Sequence, residues 1–291
     1  MDINNPSQKI VMICGPGEYP IMVYNYLIEN GLQIERLIIE QPVNTQIFLK
    51  RRIKKLGVLN VLGQVLNRVL IVPLLKIEAT KRLLIIKELG QLNSTPAKND
   101  IISKVPSVNS TECLNILQQL KPEVVVVVNT RILGNKTLTS IQGKFINIHA
   151  GITPNYRGWH GGYWALVNND SANCGTTIHL VDNGIDTGGV LYQKKINPTN
   201  QDNYYTYPFL QLIAGLPILK KAIKDILNEN YEIKIWNKNH EGNLYYHPTI
   251  WEYISNRLSP LKFEFFLALY LLKTLTILNL GRDLFMQYFT G

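Results

Sequence analysis

Asparagine, histidine and aspartate side chains occur in this chain at spacings that suit acyl-transfer chemistry. Asn147 and His149 lie two residues apart in a segment with the composition of a strand, so their side chains should point to the same face. An amide N–H beside an imidazolium can stabilise an oxyanion. Asp186 lies next to Gly188 and Gly189, and a carboxylate near His149 would favour the charged imidazole. Alternatively, Asn147 caps a loop and His149 is a hydrogen-bonded core residue.

Metal binding is the rival interpretation of the acidic segment. Asp182 and Asp186 are scattered among glycines, as acids are in calcium loops, but the EF-hand spacing and its terminal glutamate are missing. No CxxC spacing links the three cysteines, Cys14, Cys113 and Cys174. We therefore expect no metal, no disulfide framework, and a cytoplasmic location.

The elements that must position these side chains alternate between strands and helices. Lys9–Cys14 and Ile34–Glu40 are predicted strands on either side of a predicted helix, Tyr19–Asn30. The five valines of Val124–Val128 suit a central strand that is buried on both faces, and Gly143–His149 is predicted to be the next strand. The order predicts an α/β fold with a Rossmann-like, mostly parallel sheet flanked by helices, in which ligands bind at the carboxyl ends of strands.

The rest of the sequence indicates an insert within the α/β domain and an extension after it. We expect a catalytic domain over residues 1–200, with a helical insert at 48–92, and a mixed helical extension over 201–291. The insert should contain two or three helices, broken near Gly57, Gly63 and Pro73. Remaining predicted elements are a helix at Ser110–Leu120, a helix at Gly161–Asn169, strands at Thr176–Val181 and Gly189–Ile196, a long helix at Tyr204–Leu227 and an apolar helix at Phe263–Leu280.

Basic residues are concentrated in one stretch of the chain. The 291 residues carry a net charge of +9, and the segment from Lys50 to Glu88 holds ten bases against two acids, a net +8. Such a segment fits a basic amphipathic helix on an anionic membrane, a helix packed on the domain with its bases in water, or a phosphate or RNA contact. No run of 18 uncharged apolar residues occurs, so no membrane span is predicted.

The motifs around the polar residues resemble the folate-dependent formyltransferases. That family includes glycinamide ribonucleotide transformylase, methionyl-tRNA formyltransferase and the sugar N-formyltransferases. The resemblance covers Lys9–Ile196 apart from Phe48–Leu92. It is carried, in family order, by Thr130-Arg131-Ile132-Leu133, Asn147-Ile-His149, Pro154-x-Tyr156-Arg157-Gly158 and His179-x-x-Asp182-x-x-x-Asp186-x-Gly188.

The resemblance implies a formyltransferase fold with Asn147, His149 and Asp186 as the catalytic trio. It also implies N10-formyltetrahydrofolate as formyl donor and no metal, with the pterin held by Thr130, Arg131, Ile132, Leu133, Asp182 and Gly184. Formyl transfer to an amine passes through a tetrahedral oxyanion, to which Asn147 and protonated His149 would donate hydrogen bonds. Asp186 would keep His149 charged and help to move the amine proton.

The acceptor is expected to be the primary amine of a small molecule. The first predicted turn contains Pro16, which has no N–H, and Glu18, which would repel a phosphate, so the alternative of glycinamide ribonucleotide is disfavoured. The tail after residue 196 is nearly neutral, so no nucleic-acid partner is favoured. An amino sugar on a nucleotide remains, and the residues predicted to contact it are Gly15, Gly17, Tyr156, Arg157, Trp159 and His160.

Two rivals of another kind are a non-catalytic folate- or nucleotide-binding protein and a formyltetrahydrofolate hydrolase. A homodimer and a peripheral contact of residues 50–88 with an anionic membrane are further expectations.

Overall fold

A seven-stranded, mostly parallel sheet is the main feature of the computed structural model, which describes residues 9–236 and 242–257. In the described part of the chain the sheet order is β3-β2-β1-β4-β5-β7-β8, and β6 pairs with β9 in a separate two-stranded sheet. The strands are β1 (Ile10–Cys14), β2 (Ile34–Glu40), β3 (Ile102–Val105), β4 (Val124–Val128), β5 (Lys144–His149), β6 (Tyr156–Gly158), β7 (Gly175–Leu180), β8 (Val190–Lys195) and β9 (Asn243–Tyr245).

Helices connect and flank these strands, so the predicted fold class is confirmed. They are α1 (Glu18–Glu29), α2 (Thr45–Leu56), α3 (Val58–Leu66), α4 (Val72–Glu78), α5 (Thr80–Leu89), α6 (Thr111–Leu120), α7 (Asn135–Leu138), α8 (Gly161–Val167), α9 (Tyr207–Leu227) and α10 (Ile250–Arg257). A π-helical turn, Asn67–Ile71, joins α3 to α4. Ser110 caps α6 as its sequence predicts, because its hydroxyl accepts a hydrogen bond from the Cys113 N–H.

The valine strand β4 is the middle of the sheet, with all five side chains buried. Strands β3, β2, β1, β4 and β5 pair in parallel, whereas β7 pairs antiparallel with both β5 and β8. Alternate side chains of β4 belong to two core clusters, one on each face of the sheet. One cluster includes buried residues of α1, α5 and α9, and the other includes residues of α6.

Contacts divide the chain into two compact units, with boundaries after Arg51, Ile71 and His247. The first unit contains both sheets, and within it α9 packs against β7 and β8. In the second unit α3 contacts α10, where a Cβ on Gly63 would meet the Trp251 ring at 2.3 Å. The predicted boundary near residue 200 stays a prediction, and the predicted helix Phe263–Leu280 lies outside the described residues.

The insert is helical, as predicted, and it consists of α2, the helix Val58–Glu78 (α3, the π-helical turn and α4) and α5. The break at Gly57 is correct, since this residue precedes α3 with a φ of 82°, and the break predicted at Gly63 is wrong. Near Pro73 the α-helix changes to the π-helical turn but does not end. The π-helical turn ends at Ile71, two residues before Pro73. Its wider backbone makes room for the proline ring, which would clash with the preceding turn of a regular α-helix. Among the described residues, one helix, Val58–Glu78, is long and apolar enough to cross a bilayer by length and composition, with 22% of its apolar window buried.

Candidate active site

The predicted catalytic residues Asn147 and His149 lie where the sheet changes from parallel to antiparallel pairing. Both are on β5, which pairs in parallel with β4 and antiparallel with β7. Ile146 and Ile148 alternate with them and point into the core cluster that includes α1 and α9, so Asn147 and His149 point to the opposite face. Asn147 lies directly opposite His179 of β7, which brings a second histidine to the same face.

The Asp186 carboxylate completes the predicted trio. Its Oδ2 lies 3.4 Å from His149 Nδ1, and its Oδ1 lies 3.4 Å from Asn147 Nδ2. Oδ2 also accepts a hydrogen bond from the Gly158 backbone N–H at 2.8 Å. Asp186 has a φ of 53°, in the left-handed region that aspartate tolerates better than most residues. The structure thus brings together three side chains that are up to 39 residues apart in the sequence.

The surroundings of Asp186 favour its ionised form. Burial by itself raises the pKa of this carboxyl, but the charges of His149 and His179 and hydrogen bonds from His179 and Gly158 outweigh that effect. The pKa of Asp186 is therefore held well below its usual range. An ionised Asp186 is an acceptor for every donor that surrounds it.

Both ring nitrogens of His149 face acceptors. Nδ1 faces the Asp186 carboxylate, and Nε2 lies 2.8 Å from the Tyr156 backbone oxygen. Because each acceptor requires a hydrogen on the facing nitrogen, the ring satisfies both only as an imidazolium. The side chain is 5% exposed, and a Cβ on Gly151 would lie 2.6 Å from Nε2. The arrangement supports the charge state that the sequence predicts for His149.

His179 is a site residue whose position the sequence analysis did not assign. Its Nδ1 lies 2.7 Å from the Leu180 backbone oxygen, which requires a hydrogen on that nitrogen. Its Nε2 lies 3.1 Å from Asn147 Nδ2 and 3.4 Å from Asp186 Oδ1. His179 therefore contacts two of the three predicted catalytic residues. Its place in the motif with Asp182 and Asp186 was the available signal, but the antiparallel register that places it opposite Asn147 was not predicted.

A strand from the predicted extension supports the loop that contacts Asp186. Strand β6 ends at Gly158, and it pairs in parallel with β9. Gly158 has a φ of 86°, and a Cβ there would lie 2.4 Å from the Tyr245 carbonyl oxygen, so a larger residue would not fit. The Tyr156 ring stacks on the Tyr245 ring at 5.3 Å between centroids, and its hydroxyl donates to Asp170 at 2.9 Å. These contacts fix Tyr156 and Gly158, whose backbone atoms bind His149 and Asp186.

The residues predicted to hold the pterin lie in loops after β4 and β7, the strands on either side of β5. The Ile132 side chain is 57% exposed, whereas Leu133 is buried. In the other loop, Asp182 accepts hydrogen bonds from the Gly184 N–H at 3.0 Å and the Thr187 hydroxyl at 2.7 Å. Asp182 therefore holds the turn that leads to Asp186, and its role towards a pterin stays a prediction.

Buried Glu40 fixes the loop that contains Arg131. No pattern in the sequence indicated this role for Glu40. Its carboxylate accepts from the Arg131 backbone N–H at 2.7 Å and lies 3.3 Å from Arg131 Nε. It also accepts from the Val108 N–H at 3.2 Å. Asn109 adds a further restraint, because its amide donates to the Ile132 carbonyl oxygen and its Oδ1 accepts from the Gly134 N–H. Thr130 bonds locally, its hydroxyl donating to the Arg131 carbonyl oxygen.

The residues predicted to contact the acceptor fall into two places. Gly15 and Gly17 form the turn after β1, where the Gly15 N–H donates to the Val128 carbonyl oxygen of neighbouring β4. Glu18 follows at the start of α1 and pairs with Lys87 at 3.0 Å. A carboxylate at this helix N-terminus occupies the position that would otherwise favour a phosphate.

The other predicted acceptor residues lie in and after β6. Tyr156 is buried and Arg157 is half-buried, whereas Trp159 is 50% exposed. The Trp159 ring lies 4.5 Å from the His247 ring, and His160 Nε2 is 2.8 Å from both the Tyr204 hydroxyl and His247 Nδ1. Trp159 thus presents an aromatic surface next to Gly158. Within residues 9–236 and 242–257, no group of three or more His, Cys, Asp or Glu side chains is arranged to hold a metal ion.

The sequence matches known formyltransferases over two fifths to about half of its length. Residues 92–207 match the family model described as formyl transferase. A methionyl-tRNA formyltransferase from Finegoldia magna is 32% identical over 120 residues, which are 41% of this chain and 38% of that protein. One from Clostridium beijerinckii is 28% identical over 165 residues, 53% of this chain and 52% of that protein. The matches thus span from two fifths to about half of those relatives.

Solved structures with a similar fold are formyltransferases as well. A sugar N-formyltransferase from Shewanella sp. FDAARGOS_354 superposes with a TM-score of 0.51 at 19% identity, over 82% of this chain and 76% of that one. Glycinamide ribonucleotide transformylase 1 from Symbiobacterium toebii gives a TM-score of 0.52 at 14% identity, over 81% of this chain and 99% of that one. At these identities the likeness concerns the fold. Together with the family match, it confirms the resemblance that the motifs indicate.

Proposed function

We propose that this chain, whose residues 92–207 match the formyl transferase family, transfers a formyl group from N10-formyltetrahydrofolate to the primary amine of a small molecule. The observation that carries the proposal is the contact of the Asp186 carboxylate with both His149 and Asn147, all inside the matched segment. These are the residue types that an acyl transfer to nitrogen requires, namely hydrogen-bond donors for an oxyanion and an acceptor for a proton.

The donors of the site stabilise the negative charge that develops during transfer. When an amine attacks the formyl carbon, the carbonyl oxygen becomes an oxyanion, and Asn147 Nδ2 and the His149 imidazolium are the groups that would donate hydrogen bonds to it. His149 Nε2 is bound to the Tyr156 carbonyl oxygen in this structure. Donation to the oxyanion therefore requires His149 to exchange that contact for the substrate. Asp186 stays bound to Nδ1 and keeps the ring charged during the exchange.

Asp186 is also the group that receives the amine proton. An attacking amine becomes cationic when it bonds to the formyl carbon, and it must lose a proton before the tetrahedral intermediate collapses. An ionised, half-buried carboxylate held by Gly158 is suited to accept this proton directly or through water. The bond between the formyl carbon and N10 then breaks, and the same proton passes from Asp186, directly or through water, to N10 of the departing tetrahydrofolate. The amine itself must arrive neutral, because an ammonium has no lone pair.

The formyl donor is a substrate in this proposal, and two loops are suited to bind its pterin. Glu40 and Asn109 restrain the loop Thr130–Leu133 through hydrogen bonds to its backbone. The backbone around the exposed residue Ile132 is therefore held in place. The turn at Asp182 is restrained by Gly184 and Thr187. Rigid loops whose backbone groups face a ligand lower the entropy cost of binding it.

A nucleotide-linked amino sugar is the acceptor class that we propose. Glu18 at the α1 N-terminus and Pro16 before it disfavour a free phosphate at that turn, which argues against glycinamide ribonucleotide. The exposed face of Trp159, next to the loop that binds Asp186, is suited to stack on a sugar or base.

A turnover screen tests the proposal. Purified protein is incubated with N10-formyltetrahydrofolate and, in parallel, with nucleotide-linked amino sugars, glycinamide ribonucleotide, methionyl-tRNA or no amine, and product mass is followed together with release of tetrahydrofolate. Formylated amino sugar with matching folate release is the expected result. Formylation of another acceptor alone would correct the substrate class, and formate release without an amine would identify a hydrolase. No turnover with any acceptor would contradict the proposed activity.

A further inference from the structure

Exposed apolar side chains are concentrated in the basic segment, residues 47–89. Among the described residues, 14 of the 21 large apolar side chains that are exposed lie in this stretch. Eight of them belong to the helix Val58–Glu78: Val58, Leu59, Leu62, Val65, Val69, Leu70, Leu74 and Ile77. Soluble proteins scatter such residues singly, so a concentration of this kind marks a contact surface.

The apolar residues of α3 form a stripe on the side that faces away from its protein contacts. Gly63 packs against Trp251 of α10, and Asn67 donates to the Thr249 carbonyl oxygen. At about 100° per residue, Val58, Leu62 and Val65 of α3 fall within about 60° of one another and away from Gly63, and the exposed Val69 follows in the π-helical turn. We call these four residues the apolar stripe. One side of the helix is thus held by protein while the other presents branched aliphatic side chains to solvent.

Positive charge accompanies the apolar stripe. Helix α2 contains five bases and no acid, and none of its twelve residues is buried. The described exposed bases of the segment are Lys50, Arg51, Lys54, Lys55, Arg68, Lys76 and Lys81. Of the other bases in the segment, Arg82 pairs with Asp202 and Lys87 pairs with Glu18. The segment therefore combines aliphatic exposure with a strong excess of cations.

We propose that residues 52–71 of this segment, which belong to the second compact unit and carry four bases and no acid, bind the surface of an anionic lipid bilayer, with the apolar stripe inserted at the level of the headgroups. Cations attract acidic lipids, and aliphatic side chains gain free energy when they leave water, so the two properties of the segment act on one partner. A nucleic acid would use the bases but would leave the aliphatic side chains in water. The protein-held side of the helix, with Gly63 and Asn67, fits a helix that lies on a membrane rather than across it.

Vesicle sedimentation tests this inference with the full-length protein. Vesicles of phosphatidylcholine alone are compared with vesicles that contain about 30% phosphatidylglycerol, at low and high salt. We expect binding to the anionic vesicles, little binding to the neutral ones, and a loss at high salt because the charges are screened. The assay does not depend on turnover, so its result and that of the formyl-transfer screen are independent.

Two sets of variants separate the roles of charge and apolar surface. Replacing Lys54, Lys55 and Arg68 with serine should weaken binding on the order of 100-fold, because each base near an anionic surface contributes separately. Replacing Leu62, Val65 and Val69 with serine should weaken it by at least about tenfold. The matched controls are Lys98, Lys136 and Lys195 to serine, and Ile28 with Ile235 to serine, all exposed and outside the segment, and these should bind as the wild type does.

Several outcomes would overturn the inference. The inference is contradicted if the wild-type protein stays in the supernatant with anionic vesicles at low salt. In that case RNA, another part of this chain or a second copy of the chain occupies the surface instead. Light scattering then shows whether the apolar substitutions abolish a dimer. Binding that is lost with the bases but unchanged by the apolar substitutions shows adsorption without insertion and contradicts the role given to the apolar stripe. Circular dichroism and formyl transfer confirm that the variants are folded.

Discussion

The Asp186 carboxylate lies 3.4 Å from Nε2 of His179, so a second imidazole flanks the proposed catalytic acceptor. His179 is 2% exposed, and its other nitrogen is fixed by the Leu180 carbonyl oxygen. Asp186 thus has one histidine at each oxygen, and only His149 approaches the side of the carboxylate that Gly158 binds. We therefore propose distinct roles for the two residues, a chemical one for His149 and a positioning one for His179.

Removing the charge of Asp186 should remove most of the activity. Asp186→Asn and His149→Ala should each lower kcat by roughly 10²–10⁴ while the fold survives, since each takes away proton transfer or oxyanion stabilisation. The measurement is formyl transfer with the acceptor found in the screen, with circular dichroism as the fold check. Asp225→Asn is the matched control, because Asp225 pairs with Lys221 away from the site. Near-full turnover of Asp186→Asn would show that the proposed trio is wrong.

Loss of His179 should change the pH dependence more than the chemistry. Without the charge and hydrogen bond of His179, burial has a larger effect on Asp186, and the pKa of this carboxyl rises. Wild-type Asp186 stays ionised as the pH falls, whereas in His179→Ala it takes up a proton at a higher pH. Once protonation of the amine, which is common to both enzymes, is divided out, the acidic limb of kcat/KM should therefore move to higher pH in the variant. An unchanged limb would refute the positioning role of His179.

A methyl group at Gly151 should displace His149. An alanine Cβ there would lie 2.3 Å from the Tyr156 carbonyl oxygen and 2.6 Å from His149 Nε2, closer than real Cβ contacts. The ring or the loop must shift, and misplacement of a reacting group by about 1 Å costs on the order of 10²-fold in rate. Gly151→Ala should lower kcat with little change in secondary structure. Activity within about threefold of the wild type would mean that the His149–Tyr156 contact is not needed.

The ion pair of Arg82 and Asp202 should stabilise the first unit. Asp202 has a buried side chain and accepts two hydrogen bonds from Arg82, at 2.8 and 3.0 Å. Arg82→Met leaves this carboxylate without its counter-ion and should lower the free energy of unfolding by about 3 kcal/mol. Denaturant unfolding measures the change, with Lys81→Met as the neighbouring control. The double variant with Asp202→Asn should recover part of the loss, and no recovery would contradict the pairing.

The same ion pair predicts a pH dependence of stability. Burial raises the pKa of Asp202, but hydrogen bonds from Arg82 and Thr199 and the charge of Arg82 lower it further than burial raises it. A carboxyl with a lowered folded-state pKa stabilises the protein above its unfolded value of about 4 and loses that effect as the pH falls. The stability difference between the wild type and Arg82→Met should be full at pH 7 and shrink below about pH 4. A difference that grows on acidification would contradict this sign.

Local patterns in the sequence were sufficient to predict most strands and helices and to propose Asn147, His149 and Asp186 as the catalytic trio. The run of five valines predicts a strand that is buried on both faces, and Ser110 marks the start of a helix. Both predictions succeed because they depend only on residues that are close together in the sequence. Asn147 and His149 share a face because strands alternate with a period of two.

Contacts between distant residues were not predictable in this way. The pairing of Asn147 with His179 depends on the antiparallel register of β5 and β7, which no local pattern specifies. In the sequence, Glu40 is an ordinary residue of a predicted strand. Only the folded chain brings its carboxylate to the backbone N–H of Arg131, which is 91 residues further along the chain. Pro73 suggested a helix break, whereas a π-helical turn accommodates it.

The pairing of β6 with β9 has a consequence for the order in which the site is completed during synthesis. All three proposed catalytic residues leave the ribosome before Asn243–Tyr245, the strand that pairs with the Gly158 loop. A nascent or shortened chain that ends before residue 243 therefore carries the full set of chemical groups but lacks the support for the backbone N–H that binds Asp186. Formyl transfer should appear only after Asn243–Tyr245 has been synthesised and has paired with β6, although the side chains of the site are present before that.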